Sequence, residues 1–243
     1  MAFNAKHTSI EETELIYNEM FVKMEYLNHS PPLARMQTVV DVGANIGMLT
    51  LFTKKENPNL VVYSFEPAKE TYDVLLRNIQ LHNLKNVIAR NFAIGSGDRT
   101  ERIFTYYPNM AGNSTANPAF KESQHKEMVA TFGKEKTDWA FVSETRVAQV
   151  RTLSALIEEY HIPSIDFLKI DTEGDETLVL DGIEAKHFNI IGHIAVEIHT
   201  EPIYKDIQKR LMQYGYKIDS DTGLSAFTGV TNLYATKNLK GAS

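Results

Sequence analysis

The chain has 243 residues, of which 43% are hydrophobic, carries a formal net charge of −6 at pH 7 and contains no cysteine. The length fits one large domain or one domain with additions, and the acidic balance argues against a nucleic-acid or membrane partner, because such surfaces need clustered Lys and Arg. The lack of cysteine excludes disulfides, thiolate zinc sites and cysteine nucleophiles and suits a reducing compartment, so we expect a cytoplasmic protein.

Residues 1–36 are predicted to form a helical cap ahead of the core. Apolar side chains recur at helical spacing between Leu15 and Leu27, and the helix should end before Pro31-Pro32, because consecutive prolines cannot continue a helix. Since this helix precedes the first predicted strand, we expect it to cover a pocket or dock a partner. A helix that merely packs on the sheet is the alternative interpretation.

A strand, a glycine turn and a helix then follow. The β-branched strand 38–42 contains Asp41, the turn is Gly43-Ala44-Asn45-Ile46-Gly47, and the helix begins at residue 48. This order of elements is how an α/β domain builds a nucleotide cradle. The spacing G-x-x-x-G departs from the dinucleotide form G-x-G-x-x-G, which favours a ligand without a pyrophosphate.

The next two predicted strands add a possible nucleoside site. The strand 60–65 ends at Glu66-Pro67, and an acidic residue at this position, roughly 20 residues past the glycine turn, is where a ribose diol binds. A solvated loop glutamate is the alternative. The strand 87–94 would bring Asn91, Phe92 and Ala93 to the carboxyl edge of the sheet, where an adenine could bind, and residues 102–106 could add an edge strand.

The segment 107–149 interrupts the alternation of strands and helices. It is polar, contains four Gly or Pro residues and carries many charges. A connection of this length in an α/β domain is usually functional or mobile. We therefore predict a cap at 1–36 and a core at 37–243, with an inserted lid at 107–149 that contains some helix between residues 119 and 143.

The remaining strands are predicted at 165–171, 190–198, 216–218 and 233–236, the last two as antiparallel partners joined by a polar hairpin with Gly223 and Gly229. Right-handed crossovers then give a doubly wound α/β sheet whose ligands bind at the carboxyl ends of the strands. In that fold four polar clusters of the sequence meet at one edge: 41–47, Glu66, 171–173 and 197–199. This convergence is the strongest indication of a functional site.

His199 is the best candidate for a general base in that site. An imidazole titrates near neutral pH, and a neighbouring carboxylate fixes its tautomer and raises its basicity. Glu173 and Glu197 are candidate partners, and Asp171 is assigned to the cofactor side. A hydrogen-bonded edge histidine is one alternative. Another is a Mg²⁺ or Mn²⁺ site built from these four residues, although no two of them have a diagnostic ligand spacing.

These motifs together resemble the FkbM family of S-adenosylmethionine-dependent O-methyltransferases. The resemblance is carried by residues 39–47 (VVDVGANIG), 65–67 (FEP) and 168–176 (LKIDTEGDE), and residues 196–199 (VEIH) fit the next family motif. Residues 12–19 and 232–236 look like FkbM-type domains embedded in polyketide synthase and peptide synthetase modules, and such a chain would be a domain excised from a megasynthase. Thr172 stands where the family often has Val, and the insertion around residues 116–148 has no counterpart among these motifs.

The resemblance implies a Rossmann-like class I methyltransferase sheet and S-adenosylmethionine as the methyl donor. Glu66 would bind its ribose, the turn residues Gly43, Ala44, Asn45 and Gly47 its methionine part, and Asn91, Phe92 and Ala93 its adenine. Asp41, Pro67 and Asp171 would belong to the same cofactor site.

The resemblance also implies a reaction. His199, oriented by Glu173, with Glu197 as a further catalytic candidate, would deprotonate a hydroxyl or enol on an acyl chain. A carrier protein would deliver that chain on its phosphopantetheine arm, beside neighbouring megasynthase domains, while the cap and the insertion exclude water from the site. The alternatives are a metal-assisted O-methyltransferase acting on a sugar or polyol and a catalytically inactive cofactor-binding spacer.

Overall fold

Strands alternate with helices along the computed structural model, which describes residues 10–27, 29–220 and 231–239. The strands in these ranges are β1 (Thr38–Val42), β2 (Val61–Phe65), β3 (Val87–Arg90), β4 (Ala93–Ile94), β5 (Thr100–Tyr106), β6 (Glu144–Arg151), β7 (Ile165–Ile170), β8 (Ile191–Ile198), β9 (Lys217–Ser220) and β10 (Thr231–Thr236). The α-helices are α1 (Ile10–Tyr17), α2 (Met48–Glu56), α3 (Lys69–Leu81), α4 (Pro118–Phe132), α5 (Lys134–Ala140), α6 (Leu153–Glu159), α7 (Glu176–Asp181) and α8 (Glu201–Gln213).

The central sheet has seven strands in the order β3-β2-β1-β7-β8-β10-β9. The pairs from β3 to β8 are parallel, and β10 is antiparallel to both β8 and β9. This is the doubly wound class I methyltransferase arrangement, so the predicted α/β fold and the antiparallel last pair are confirmed. The connecting hairpin, with Gly223 and Gly229, lies outside the described residues.

Alternate residues of the central strands pack into two apolar cores on opposite faces of the sheet. Val40 of β1 and Leu168 of β7 belong to one core, whereas Val39 and Phe167 belong to the other. Burial on both faces explains why these strands are nearly continuous in apolar residues. The register also places Asp41 directly beside Lys169 of the neighbouring strand, and this pairing bears on the site below.

A second sheet of three strands, in the order β4-β6-β5, corrects the predicted edge of the core. The predicted strand 87–94 is two strands, because β3 joins the central sheet and β4 joins the second one. The predicted edge strand 102–106 is part of β5, which pairs with β6 and not with the central sheet. The end of the insertion at residue 149 falls inside β6. Helix between residues 119 and 143 is found as α4 and α5.

The cap is less regular than the single helix predicted for it. Helix α1 ends at Tyr17, a π-helical turn covers Asn18–Lys23, and a 3-10 turn covers Glu25–Leu27 after the left-handed residue Met24 (φ 52°). The tight turn reverses the chain so that Tyr26 and Leu27 pack into the core. None of the helices in the described ranges has the length and apolar character needed to cross a membrane.

Candidate active site

The glycine turn after β1 lies against the end of β7. Gly43 has a φ of +75°, and a Cβ atom there would lie 1.8 Å from the carbonyl oxygen of Asp171, so no other residue fits. The N–H groups of Gly43 and Ala44 both donate to the carbonyl of Phe65, each at 3.0 Å. The turn is therefore fixed to both strands that flank β1.

Glu66 follows β2 and faces this turn. Its Oε2 accepts a hydrogen bond from the N–H of Asn45 and its Oε1 accepts one from the N–H of Ala68, each at 2.9 Å. The carboxylate is buried, and burial raises its pKa to about 7 against the opposing effect of these two bonds. Each oxygen has a further lone pair, so the carboxylate can accept two more hydrogen bonds.

A cavity opens at the carboxyl ends of β1, β2, β7 and β8, and we call it the edge cavity. The predicted site residues that line it are Gly43, Asn45, Glu66, Pro67, Ala93, Asp171, Glu173 and Glu197. Apolar side chains of the second sheet, including Phe104 and Ala148, form part of its wall. The cavity thus joins the predicted cofactor residues to the predicted catalytic carboxylates.

Other predicted site residues lie close to the edge cavity without lining it. The side-chain amide of Asn91 donates to the carbonyls of Glu66 and Pro67, each at 2.9 Å, and the ring of Phe92 stacks on Phe65. These two side chains hold the loop, and of the three residues predicted to bind adenine only Ala93 lines the cavity. Asp41 is buried beside Lys169, and Ala44 and Gly47 pack against Leu75.

Asp171, Glu173, Glu197 and His199 form a compact group that we call the catalytic cluster, after the role proposed for it below. The Nε2 atom of His199 lies 3.5 Å from Oε2 of Glu173 and 3.7 Å from Oε1 of Glu197. Residues far apart in the chain are therefore brought together as predicted. Their arrangement differs from the predicted one, in which His199 faces the acceptor. Glu173 and Glu197 line the edge cavity, whereas the His199 side chain is buried behind them.

Lys169 is a member of the site that the sequence patterns did not identify. Its Nζ lies 3.0 Å from Oδ2 of Asp171 and 3.6 Å from Oδ1 of Asp41, and it donates to the carbonyl of Gly43 at 2.8 Å. Burial alone would lower the pKa of Lys169 and raise that of Asp171, but their attraction outweighs burial, so the pKa of Lys169 rises and that of Asp171 falls. The lysine stands two residues before Asp171 in the motif LKID, and this short spacing is the sequence signal that could have identified it as a site residue.

Lys121 of the insertion is a second unpredicted member. Its buried Nζ lies 2.7 Å from Oε2 of Glu173 and also donates to Gln124 and Asn113. Glu173 itself adopts a left-handed φ of 55°, and its carbonyl accepts a 2.6 Å bond from the Thr115 hydroxyl. The insertion thus holds a strained backbone position and supplies the cation that pairs with Glu173.

The cap also contributes side chains to the edge cavity. Glu12 accepts a 2.6 Å hydrogen bond from the N–H of Gly112 in the insertion. The hydroxyl of Tyr26 lies 2.6 Å from Oε2 of Glu197 and 3.2 Å from Oδ2 of Asp171. Periodicity predicts that Tyr26 is an apolar face residue, so only the structure shows that its hydroxyl meets the catalytic cluster.

Comparison with known proteins identifies the family. The model of the family described as Methyltransferase FkbM domain matches residues 41–218, which is most of the chain. The chain belongs to the FkbM methyltransferase family. It is therefore an S-adenosylmethionine-dependent methyltransferase of FkbM type, and the matched region contains both the glycine turn and the catalytic cluster.

Three relatives show how FkbM-type chains of this kind occur. Methyltransferase sdnD of Sordaria araneosa is 34% identical, with 86% of this chain and 84% of that protein covered. The 31-O-demethyl-FK506 methyltransferase FkbM of Streptomyces tacrolimicus is 32% identical, with 79% and 77% covered. The AMB antimetabolite synthetase AmbE of Pseudomonas aeruginosa is 28% identical, with 79% of this chain but 10% of that protein covered.

The edge cavity of this FkbM methyltransferase fits adenosylmethionine by its chemistry. Glu66 retains acceptor capacity for two ribose hydroxyls, and the second sheet offers an apolar wall. Arg102 is the one cationic side chain among the described lining residues, and it is paired with Asp175 at 2.7 Å. The cavity therefore suits a nucleoside without phosphate groups.

A metal site at the catalytic cluster fits less well. One ligand atom from each of the four residues lies within 4.8 Å of the others, which is close enough to surround an ion. However, Lys169 and Lys121 already pair with two of the three carboxylates. A divalent cation would have to displace both ammonium groups, so the observed contacts favour a site balanced by lysines.

Proposed function

We propose that this FkbM methyltransferase transfers a methyl group to a hydroxyl or enol oxygen of an acyl chain that is carried by a carrier protein. The observation that carries the proposal is the contact of His199 with Glu173 and Glu197, both of which line the edge cavity. A proton acceptor in contact with these two carboxylates would lie close to the space in which the acceptor oxygen and the donor must meet.

In this proposal each part of the cavity has a separate task. The sulfonium of bound adenosylmethionine makes its methyl group electrophilic. Glu66 would hold the ribose, and the backbone of the glycine turn would hold the methionine part. Glu173 faces the acceptor hydroxyl. As the methyl group moves to the acceptor oxygen, its bond to the sulfonium sulfur would break and leave a neutral thioether, and the hydroxyl proton would end on Nε2 of His199. We assign it there because histidine is the side chain that most often serves as a general base.

The insertion and the cap have a supporting task. Lys121 fixes Glu173 from one side and Tyr26 fixes Glu197 from the other, while Glu12 ties the cap to the insertion. Together these contacts enclose the cluster and limit the access of water, which strengthens the electrostatic interactions inside. They also leave room for a chain acceptor, because the edge cavity extends along the insertion from Met110 to Ala116.

The carrier-borne acceptor is supported by the relatives. One of them is named a synthetase and matches this chain over a tenth of its length, which is how a domain embedded in a larger synthetase would match. The test is intact-protein mass spectrometry of acyl-carrier proteins after incubation with the enzyme and adenosylmethionine. A gain of one methylene unit on the acyl chain is expected. Methylation of a free sugar or polyol, with no gain on any carrier protein, would refute the carrier-borne acceptor.

The role of His199 is tested by His199→Ala. We expect donor binding to be retained and turnover to fall by about 10²–10⁴-fold, which is the usual contribution of a general base. His193→Ala is the matched control, since His193 lies on the same strand at the opposite end and should leave turnover unchanged. Equal turnover for the His199 variant and the wild type would remove His199 from the mechanism.

A further inference from the structure

The hydroxyl of Tyr26 lies between two carboxyl groups of the catalytic cluster. It is 2.6 Å from Oε2 of Glu197 and 3.2 Å from Oδ2 of Asp171, and both are hydrogen-bonding distances. Tyr26 is 5% exposed, so water does not substitute for either contact. The ring itself lies under a cation, with Nζ of Lys169 5.1 Å from its centroid.

The number of protons limits how these contacts are made. A tyrosine hydroxyl has one proton to donate, and an ionised carboxylate is an acceptor only. If both carboxyl groups were ionised, the hydroxyl would donate to one of them and its oxygen would face the other as acceptor against acceptor. Sharing the single proton between the two carboxylates would give one weakened three-centre bond, whereas two full hydrogen bonds form when one of the carboxyl groups carries a proton and donates it to the Tyr26 oxygen.

The position of Lys169 indicates which of the two carboxyl groups carries the proton. Its ammonium lies 3.0 Å from Oδ2 of Asp171, the same oxygen that contacts Tyr26, and so stabilises Asp171 as the anion. Glu197 has no lysine within salt-bridge distance among the described residues. Burial and the nearby charges of Asp171 and Glu173 raise the pKa of Glu197 well above its usual range, which agrees with the geometric argument.

We propose that Glu197 is a neutral carboxylic acid in the resting enzyme and that it donates its proton to the Tyr26 hydroxyl, which in turn donates to Asp171. Tyr26 is then a positioning residue, and the cap is part of the active site. The inference deepens the proposed function by fixing the protonation of its catalytic cluster, but it does not depend on which acceptor is methylated.

The proposal gives the catalytic cluster a balanced charge. Asp171 pairs with Lys169 and Glu173 pairs with Lys121, and the third carboxyl group is neutral. Glu173 is then the carboxylate that pairs with both Lys121 and His199. The charged and titratable groups near Glu197 come from the cap, β7 with its following loop, and the end of β8: Glu19, Tyr26, Lys169, Asp171, Glu173 and His199. Lys121 of α4 acts one step away, through its contact with Glu173.

Infrared difference spectroscopy at neutral pH tests this without any acceptor. A protonated carboxyl group has a C=O stretch that is separate from carboxylate bands and moves in D₂O. Other buried carboxyl groups such as Glu66 also contribute protonated bands near neutral pH, so the test follows the band that depends on Glu197. We expect that band to be present in the wild type, to be lost in Glu197→Gln, and to shift to higher wavenumber in Tyr26→Phe because its hydrogen bond is removed. Tyr216→Phe is the control, since that buried hydroxyl bonds only backbone carbonyls far from the cluster.

A spectrum in which Glu197→Gln removes no protonated-carboxyl band would overturn the proposal. So would a band that is identical in the wild type and Tyr26→Phe. If Glu197→Gln does not fold, as judged by circular dichroism, the comparison of Tyr26→Phe with the wild type still tests the proposal. A neutral Glu197 that bonds to Tyr26 must give a C=O band that shifts when the Tyr26 hydroxyl is removed. Failure to methylate a carrier protein would refute the proposed acceptor and leave these spectra unchanged.

Discussion

Glu66 offers the sharpest test of the cofactor site. In Glu66→Gln one carboxylate oxygen becomes an amide NH₂ group, which would face the N–H of Asn45 or Ala68 donor against donor. The variant also loses a charge-assisted bond to the ribose, and a hydrogen bond to a charged group contributes about 1.5–3 kcal/mol. At 1.4 kcal/mol per factor of ten, the dissociation constant for adenosylmethionine should rise about 10–150-fold. Isothermal titration calorimetry measures this directly.

The same site predicts a pH dependence of donor binding. In the proposed site the ribose hydroxyls would donate to Glu66, so the donor would bind the ionised carboxylate, whose pKa in the free protein is about 7. Lowering the pH from 8 to 6 converts Glu66 from mostly ionised to mostly protonated and should weaken binding by roughly tenfold. In Glu66→Gln this dependence should be absent, whereas Glu56→Gln, on the exposed end of α2, should behave as the wild type. An unaltered dissociation constant in Glu66→Gln would refute the ribose assignment.

Three further predictions concern the support of the site. Gly43→Ala should lower the free energy of unfolding by at least about 3 kcal/mol, because its Cβ would lie 1.8 Å from a backbone oxygen. Gly215→Ala shares the positive φ but has open space, so it should lower the free energy of unfolding by only about 1–2 kcal/mol. Urea titration of both variants measures the difference. Lys121→Met should lower both turnover and stability, the latter by about 2 kcal/mol or more, because it leaves the Glu173 carboxylate without its cation. The exposed Lys126→Met on the same helix should change stability by less than about 0.5 kcal/mol, and equal effects of the two substitutions would contradict the pairing. Dialysis against a chelator should leave turnover intact, whereas a loss that Mg²⁺ or Mn²⁺ restores would establish the metal-assisted alternative.

The core could be predicted because each of its elements is marked by residues that are neighbours in the sequence. A β-branched strand followed by Gly43 at a positive φ, and a carboxylate at the tip of the next strand, are requirements of the cradle itself and are therefore visible in the sequence. The parallel strands were visible for the same reason, since burial on both faces demands continuous apolar runs. The three-stranded sheet was missed, because β5 and β6 are partly exposed and pair across 37 intervening residues of insertion.

The sequence by itself determined the family and the edge of the sheet at which Asp171, Glu173, Glu197 and His199 meet, because these residues lie in short contiguous motifs. Only the tertiary structure shows which cations and hydroxyl groups these four residues contact. Lys121 and Tyr26 come from segments that sequence periodicity describes only as helix, yet they provide the cation for Glu173 and the hydroxyl between Glu197 and Asp171. Charge balance in a buried site depends on distances of about 3 Å between side chains remote in the chain, and no local pattern encodes such distances.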